Sequence, residues 1–162
     1  MGGWIGSDTT STEFVFSNGT IQPGPNLPQT RRDGCSVLLS NGKVMLLGGM
    51  ATKKNVITFD PITDSFSTNP NLINDRWEAG CALFKSALHG NRPVVLAVGG
   101  GSATTEVFDY EVANSWEQSK LNYCEIIFHF KQIMYFSRKR ASSQKYFDIS
   151  NSTRYSLCTY IS

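Results

Sequence analysis

The sequence predicts an all-β protein built from repeated units of four short antiparallel strands, and three observations lead to this prediction. An apolar run that stops on two glycines occurs at 44–49 and again at 94–100. Further short apolar segments follow each run, and hairpin or turn residues separate them. No segment has the 3.6-residue hydrophobic period of a helix. Recurrence at such a spacing is typical of one structural unit used repeatedly.

Composition excludes several classes of function. The 162 residues are 40% hydrophobic and 17% charged, which is typical of a globular protein. The net charge of +2 is too small to predict a nucleic-acid partner. No apolar run approaches the roughly 20 residues of a membrane span, so no membrane partner is expected. The start of the chain lacks the pattern of a signal peptide, which slightly favours the cytoplasm over secretion.

The first two units are delimited by their turn residues. A partial unit at 1–33 contains a strand at 13–16 and a hairpin turn at Asn18-Gly19. The first complete unit is expected at 34–79. Its four strands are the segment from Gly34, the run ending at Gly49, the segment 56–59 and a strand around Phe66. A proline-rich crossing separates the two units, since proline is excluded from central strands.

The second half of the chain repeats this order with increasing deviation. A unit at 80–122 carries a longer loop in its first hairpin. A degenerate unit at 123–162 has Ser137-Arg138 where the other units have the glycine pair. Neither chain end supplies a complete unit. We therefore expect a structure that does not close on itself, with unpaired strand edges available for self-association.

Cysteines recur in register with the units. Cys35, Cys81 and Cys124 occupy equivalent positions of successive units. Equivalent positions in adjacent units are expected a unit width apart, beyond the roughly 7 Å limit between Cα atoms for a disulfide. The prediction is that all three are small buried hydrophobic residues without disulfides.

The repeated pattern resembles the kelch repeat: an apolar strand ending in Gly-Gly, a later Phe-Asp pair, and an aromatic residue seven or eight positions on. The residues that carry this resemblance are Gly48, Gly49, Phe59, Asp60 and Phe66 in one unit and Gly99, Gly100, Phe108, Asp109 and Trp116 in the next. The resemblance implies a partial kelch-type β-propeller whose blades are four-stranded antiparallel sheets. It also implies a surface used mainly to bind other proteins.

The sequence shows few residues suited to catalysis or metal binding. His89 and His129 come from different units, and they are expected in a solvated loop and on a strand face. The carboxylates Asp60, Asp109 and Asp148 recur at strand ends, which favours turn stabilisation over acid–base chemistry. The run 99–102 lacks the remainder of a phosphate-binding loop. We therefore expect no enzyme, no cofactor and no metal.

Two functional hypotheses from different classes stay open. The first is a non-catalytic protein-binding module, part of a scaffold or adaptor such as a ubiquitin-ligase adaptor. The second is a fragment of a propeller enzyme or secreted carbohydrate-related protein of the copper-oxidase type. Copper radical oxidases of that kind use tyrosine, histidine and cysteine in their sites, and no such constellation is evident in this sequence.

The charge pattern predicts which face of the molecule would bind a protein. In a four-stranded meander, the loops after the glycine pairs and the loops between units share one face. Cations outnumber carboxylates there, and an acidic protein segment is the expected partner. Its contacts are predicted to be Arg31, Arg32, Lys53, Lys54, Arg76 and the aromatic anchor Trp77. The same face is expected to carry Lys120, Arg138, Lys139 and Arg140, with acidic residues Asp8, Asp33, Asp75, Glu78 and Glu117.

Overall fold

A computed structural model describes residues 2–4 and 6–119 of the chain, and these residues form short antiparallel β-strands. The strands are β1 (Gly3–Trp4), β2 (Asp8–Thr9), β3 (Glu13–Val15), β4 (Ile21–Pro23), β5 (Cys35–Leu38), β6 (Val44–Leu47), β7 (Val56–Asp60), β8 (Ser65–Thr68), β9 (Gly80–Ser86), β10 (Arg92–Val98), β11 (Thr105–Phe108) and β12 (Glu117–Gln118). The predicted all-β fold class, with four-stranded antiparallel units, is confirmed for this part of the chain. The degenerate unit expected at 123–162 lies outside it.

The first sheet consists of β5 to β8, hydrogen-bonded in chain order. A turn at Gly42, with φ of 83°, reverses the chain into β6. Because β6 is buried on both faces, its sequence is a continuous apolar run instead of an alternating one. Met45 and Leu47 contact one hydrophobic cluster, and Leu46 between them contacts another.

The second sheet repeats this order with β9 to β12. Its first two strands are longer than the sequence predicts, because Ser86 and Arg92 still pair across the hairpin. A single 3-10 turn at Ala87–His89 closes that hairpin, and Gly90 follows in the left-handed conformation. It is the one helical turn among the described residues. No helix in this part of the chain is long and apolar enough to cross a membrane.

The core lies on both faces of the first sheet. One cluster joins the two sheets and includes Val37, Leu47 and Val56 from the first, and Val95 and Phe108 from the second. The other joins the opposite face of the first sheet to residues nearer the N-terminus, including Leu27 and Phe14. The repeat-spaced aromatic residues pack here, with ring centroids 5.1 Å apart in both Phe59–Phe66 and Phe108–Trp116. Their expected counterparts Phe147 and Tyr155 lie outside the described residues.

A disulfide links the first strands of the two sheets, so the prediction of unpaired cysteines is wrong. Cys35 begins β5, Cys81 lies in β9, and their Cα atoms are 6.0 Å apart. The two sheets are not separated by a full unit width along their whole extent. The first strands of the two sheets instead contact each other. Equivalent residues on these strands are therefore within the range that a disulfide spans. Cys124 lies outside the described residues.

The N-terminal part forms two small two-stranded sheets, β1–β2 and β3–β4. The Asn18-Gly19 hairpin predicted from sequence joins β3 to β4. Pro23 ends β4 at a sheet edge, where the missing N–H of proline is tolerated. Val15 and Ile21, paired across this hairpin, remain 74% and 59% exposed.

Candidate functional site

Two of the glycine pairs form a backbone hydrogen bond with an arginine that lies just before the next four-stranded unit. Gly3 donates its N–H to the carbonyl oxygen of Arg31 at 2.8 Å, and Gly49 donates to that of Arg76 at the same distance. A side chain at Gly48, which has φ of 61°, would overlap the Arg76 carbonyl. The pair is therefore glycine because another backbone lies against it.

The same two arginines also reach the following glycine pair with their side chains. A guanidinium Nη1 of Arg31 donates to the carbonyl oxygen of Gly48. In the next unit, Nη1 of Arg76 donates to the carbonyl oxygen of Gly99 at 2.6 Å. Each arginine thus connects two successive glycine pairs, one through its carbonyl and one through its guanidinium.

Arg76 has a complete set of partners. Its Nε lies 3.0 Å from Glu106 Oε1, and its Nη2 donates to the carbonyl of Thr104 at 2.8 Å. Glu106 is fully buried and also accepts from the backbone N–H groups of Ile73 and Asn74. Burying both charges is tolerated because each finds an opposite charge and hydrogen bonds.

Arg31 occupies the equivalent place without a carboxylate. Its partners are the carbonyl oxygens of Gly48 and Asn55 and the Asn55 side chain, whose Oδ1 lies 2.6 Å from Nη2. Ile57 stands where the second sheet has Glu106, as the strand registers show. Arg31 is 3% exposed, and its Nε has no hydrogen-bond partner among the described residues. This burial lowers its pKa to about 10.

These contacts correct the prediction that Arg31 and Arg76 bind a protein partner. Their residues are 3% and 1% exposed, and their guanidinium groups are turned into the fold. Arginine in a loop between strands is typical of a surface residue. Here both arginines are buried, because their guanidinium groups donate to backbone carbonyl oxygens near the strand ends.

The other predicted contacts lie nearer the surface. Arg32 Nε lies 3.2 Å from Asp8 Oδ1, and Lys53 Nζ lies 3.5 Å from Asp75 Oδ2. Lys54 is exposed. The ring of Trp77 packs on Gly101, where a Cβ would overlap it. Acidic neighbours offset much of the expected positive charge, and binding through Arg32, Lys53, Lys54 and Trp77 stays a prediction. Arg138, Lys139 and Arg140 lie outside the described residues.

A cavity of about 260 Å³ opens beside Arg31. The segment 31–34 forms one side, with Gly3 nearby, and Ser36 and Leu46 of the first sheet form another. Arg32 lines it as well, with its Nε 3.2 Å from Asp8 Oδ1. The lining thus carries both positive and negative charge beside an apolar wall, because Asp33 belongs to it as well.

His89 lies between a hydroxyl and a carboxylate, unlike the solvated loop histidine expected from the sequence. Its Nδ1 is 2.8 Å from Ser86 Oγ, and its Nε2 contacts Glu117 Oε1. This order of groups resembles a hydrolase triad. Ser86 is only 3% exposed, however, so a substrate cannot reach its oxygen. The contact also places Glu117 beside the hairpin loop of the second sheet, which corrects its assignment to the predicted binding face.

Asp60 and Asp109 stabilise turns at equivalent strand ends. Asp60 accepts from the N–H of Ile62 at 2.9 Å, and Asp109 accepts from that of Glu111 at 3.3 Å. Each also pairs with a cation, Lys43 or Arg92. The hydrogen bond from Lys43, and then that from Ile62, lowers the pKa of Asp60 below its usual range. Asp148 lies outside the described residues.

Metal ligands are not assembled in residues 2–4 and 6–119. No group of three or more histidine, cysteine, aspartate or glutamate side chains there is placed to hold a metal ion. Both cysteines of this part are joined in the disulfide. Both ring nitrogens of its histidine contact other side chains.

Comparison with known proteins gives a structural likeness. No family model matches the sequence, and no curated protein matches it significantly. Among matching solved structures is a fungal alcohol oxidase of the AA5 family, in complex with copper. The match has a TM-score of 0.50 at 21% sequence identity and covers 58% of this chain. The matched region spans 21% of the oxidase chain.

This likeness contradicts the prediction of no enzyme, because the matching structure is that of an enzyme. The matching fold occurs in an alcohol oxidase, which belongs to the class of the second functional hypothesis. Identity of 21% shows a shared fold alone. The kelch resemblance is not tested by this match and stays a prediction.

Proposed function

We propose that this chain is part of a propeller enzyme of the copper-oxidase type, in which residues 2–119 serve as scaffold. The observation that carries the proposal is the likeness to a copper-containing alcohol oxidase. The paired sheets supply a rigid support, held by the disulfide and by two buried arginines. In this role the described residues position other parts of the enzyme and do not themselves react.

The disulfide supports the proposal as well, because disulfides depend on the redox conditions of the compartment. Disulfides persist in oxidising environments and are rare in the cytosol. A Cys35–Cys81 link therefore favours a secreted protein over the cytoplasmic location expected from the sequence. Secretion is also part of the alternative hypothesis stated for this sequence.

Copper itself does not fit the described residues. They lack a cluster of metal-binding side chains, and their histidine and cysteines are engaged in other contacts. We derive no catalytic step through copper from these residues. The ligands belong, in this proposal, to parts of the enzyme beyond the described scaffold.

The proposal is tested by measuring hydrogen peroxide release from primary alcohols, including sugars, by the whole enzyme that contains this chain, prepared with and without copper. Copper-dependent release that requires both the alcohol and oxygen is expected. A C35A/C81A variant should lose activity on warming at a lower temperature, because its scaffold is less constrained. Peroxide release that copper does not increase, in protein shown to be folded, would contradict the proposal.

A further inference from the structure

The hairpin between β3 and β4 carries a sequence motif that the proposed function does not use. Its turn reads Phe16-Ser17-Asn18-Gly19-Thr20. The last three of these residues match Asn-x-Ser/Thr, with x other than proline, which is the acceptor of N-linked glycosylation. A match of three residues arises easily by chance, and the surroundings of Asn18 decide whether a glycan fits there.

Backbone hydrogen bonds close this turn and place Asn18 within it. The N–H of Gly19 donates to the carbonyl oxygen of Phe16, and the N–H of Phe16 donates to the carbonyl oxygen of Thr20, both at 2.9 Å. Gly19 has a φ of 82°, which glycine adopts without strain. The side-chain oxygen of Asn18 accepts from the N–H of Thr20 at 2.9 Å. The nitrogen Nδ2, to which a glycan would be attached, makes no hydrogen bond to any described residue.

The whole turn is accessible from solvent. Every residue from 15 to 23 is exposed. The corresponding hairpin of the first sheet, between β7 and β8, is exposed as well at 61–65. The two hairpins are equivalent, because each follows a glycine pair and precedes one of the two buried arginines. No described residue covers this position in either unit, so a bulky modification has room.

An aromatic side chain lies two residues before the acceptor. Phe16 is 46% exposed, and its backbone is bonded to Thr20 across the turn. Val15 and Ile21 beside it are also exposed. The C–H groups on one face of a pyranose ring pack well on an aromatic ring, because they carry partial positive charge and the aromatic face is negative. The first sugar on Asn18 can therefore cover Phe16.

The Cys35–Cys81 disulfide indicates the compartment in which such a modification takes place. Disulfides form in the oxidising lumen of the secretory pathway, where N-linked glycans are also attached. We propose that Asn18 carries an N-linked glycan whose first N-acetylglucosamine packs on Phe16. This inference rests on the secretion included in the proposed function and not on oxidase chemistry.

The modification is a transfer from an activated sugar. The donor is an oligosaccharide joined through C1 of an N-acetylglucosamine to a lipid pyrophosphate. A bond forms between Nδ2 of Asn18 and C1, and the bond between C1 and the pyrophosphate oxygen breaks. The amide loses one proton, the lipid pyrophosphate leaves with the electron pair, and nothing is oxidised or reduced. The exposed Thr20 supplies the hydroxyl that the acceptor motif requires.

The test is site-specific mass spectrometry of the whole protein that contains this chain, secreted from eukaryotic cells. The tryptic peptide that ends at Arg31 includes Asn18 and should carry the glycan in most molecules. The intact glycopeptide is measured, because an Asn-Gly sequence can also deamidate to aspartate. T20S keeps the hydroxyl and should keep the glycan, whereas T20A should lose it. Unmodified Asn18 in secreted protein whose Cys35–Cys81 disulfide has formed would overturn the proposal, whatever the peroxide assay shows.

A double-mutant cycle tests the contact with Phe16. N18Q removes the glycan, and F16L removes the aromatic ring but keeps an apolar side chain. In the wild-type background, N18Q is expected to lower the midpoint of thermal unfolding by about 2–4 °C. In the F16L background the decrease should be smaller. Loss of the hydrogen bond from Thr20 is common to both backgrounds and cancels. Equal decreases in the two backgrounds would contradict the contact.

Discussion

The two sheets have the same strand order, and they differ at the arginine that precedes each. In the second sheet, Arg76 is neutralised by the buried carboxylate of Glu106. In the first, Arg31 is buried with only neutral oxygens as partners. The comparison shows that the backbone arrangement needs the donors of the arginine, since both copies retain them. It needs the carboxylate less, since one copy omits it.

The largest expected effect is at Arg76. The R76M substitution leaves Glu106 charged and fully buried, and it should lower the free energy of unfolding by about 3–5 kcal/mol. R76M/E106Q removes both charges and keeps an acceptor for the N–H of Ile73, so it should recover at least half of that loss. Urea unfolding measures both. The exposed K54M serves as control, with a change below about 0.5 kcal/mol. A loss below about 1 kcal/mol in R76M would contradict this account of the pair.

Removing the link between the sheets should have the next largest effect. The disulfide closes a loop of 46 residues, for which the chain-entropy model gives about 4 kcal/mol, and measured effects are typically about 2–4 kcal/mol. The C35A/C81A variant should therefore unfold at lower denaturant concentration than oxidised wild type. Reduced wild type is the matched control and should resemble the variant. Unchanged stability on reduction would contradict the link.

The ion pairs at the outer strand ends provide a smaller contrast. Asp109 is 3% exposed and receives two bonds from Arg92, at 2.8 Å from Nε and 2.7 Å from Nη2. Asp60 receives one from Lys43 at a more exposed position. D109N is expected to cost about 1–2 kcal/mol, because two charge-assisted bonds are weakened. D60N should cost less under the same conditions, and the reverse order would be inconsistent with these geometries.

The smallest expected effect is a pH dependence caused by Arg31. Its pKa in the folded protein is about 10, below the ordinary value of 12.5, so the unfolded chain binds this proton more tightly. The unfavourable burial of charge is fully present below pH 10 and is relieved as pH rises from there. The stability of wild type relative to R31M should therefore increase by about 1 kcal/mol between pH 8 and 10.5. A difference that stays constant or decreases would show that burial does not perturb Arg31.

The sequence was sufficient to predict the strands of the two four-stranded sheets, because each is defined by local features. The run ending at Gly48 and Gly49 is apolar throughout since β6 is covered on both faces. The hairpins at Asn18-Gly19 and Gly42 require positive φ, which glycine provides. The all-β fold class follows from these local patterns.

The roles of Arg31, Arg76, Cys35 and Cys81 could not be predicted in the same way, because they depend on contacts between units. An arginine after a turn is usually exposed, and equivalent cysteines are usually far apart. One signal was nonetheless present: the two arginines recur at nearly the same step as the two cysteines. Residues repeated in register with a core pattern deserve consideration as part of that core, even when they are charged.

The most direct test of the account is a disulfide map of the protein produced in an oxidising compartment. Its central claim is that the two sheets lie side by side with β5 against β9. Digestion with trypsin without reduction should yield peptide 33–43 joined to peptide 77–85, each containing one cysteine. Mass spectrometry would identify this pair, and reduction would separate it. Recovery of Cys35 and Cys81 as free thiols, or linked to other cysteines, would contradict the arrangement of the two sheets.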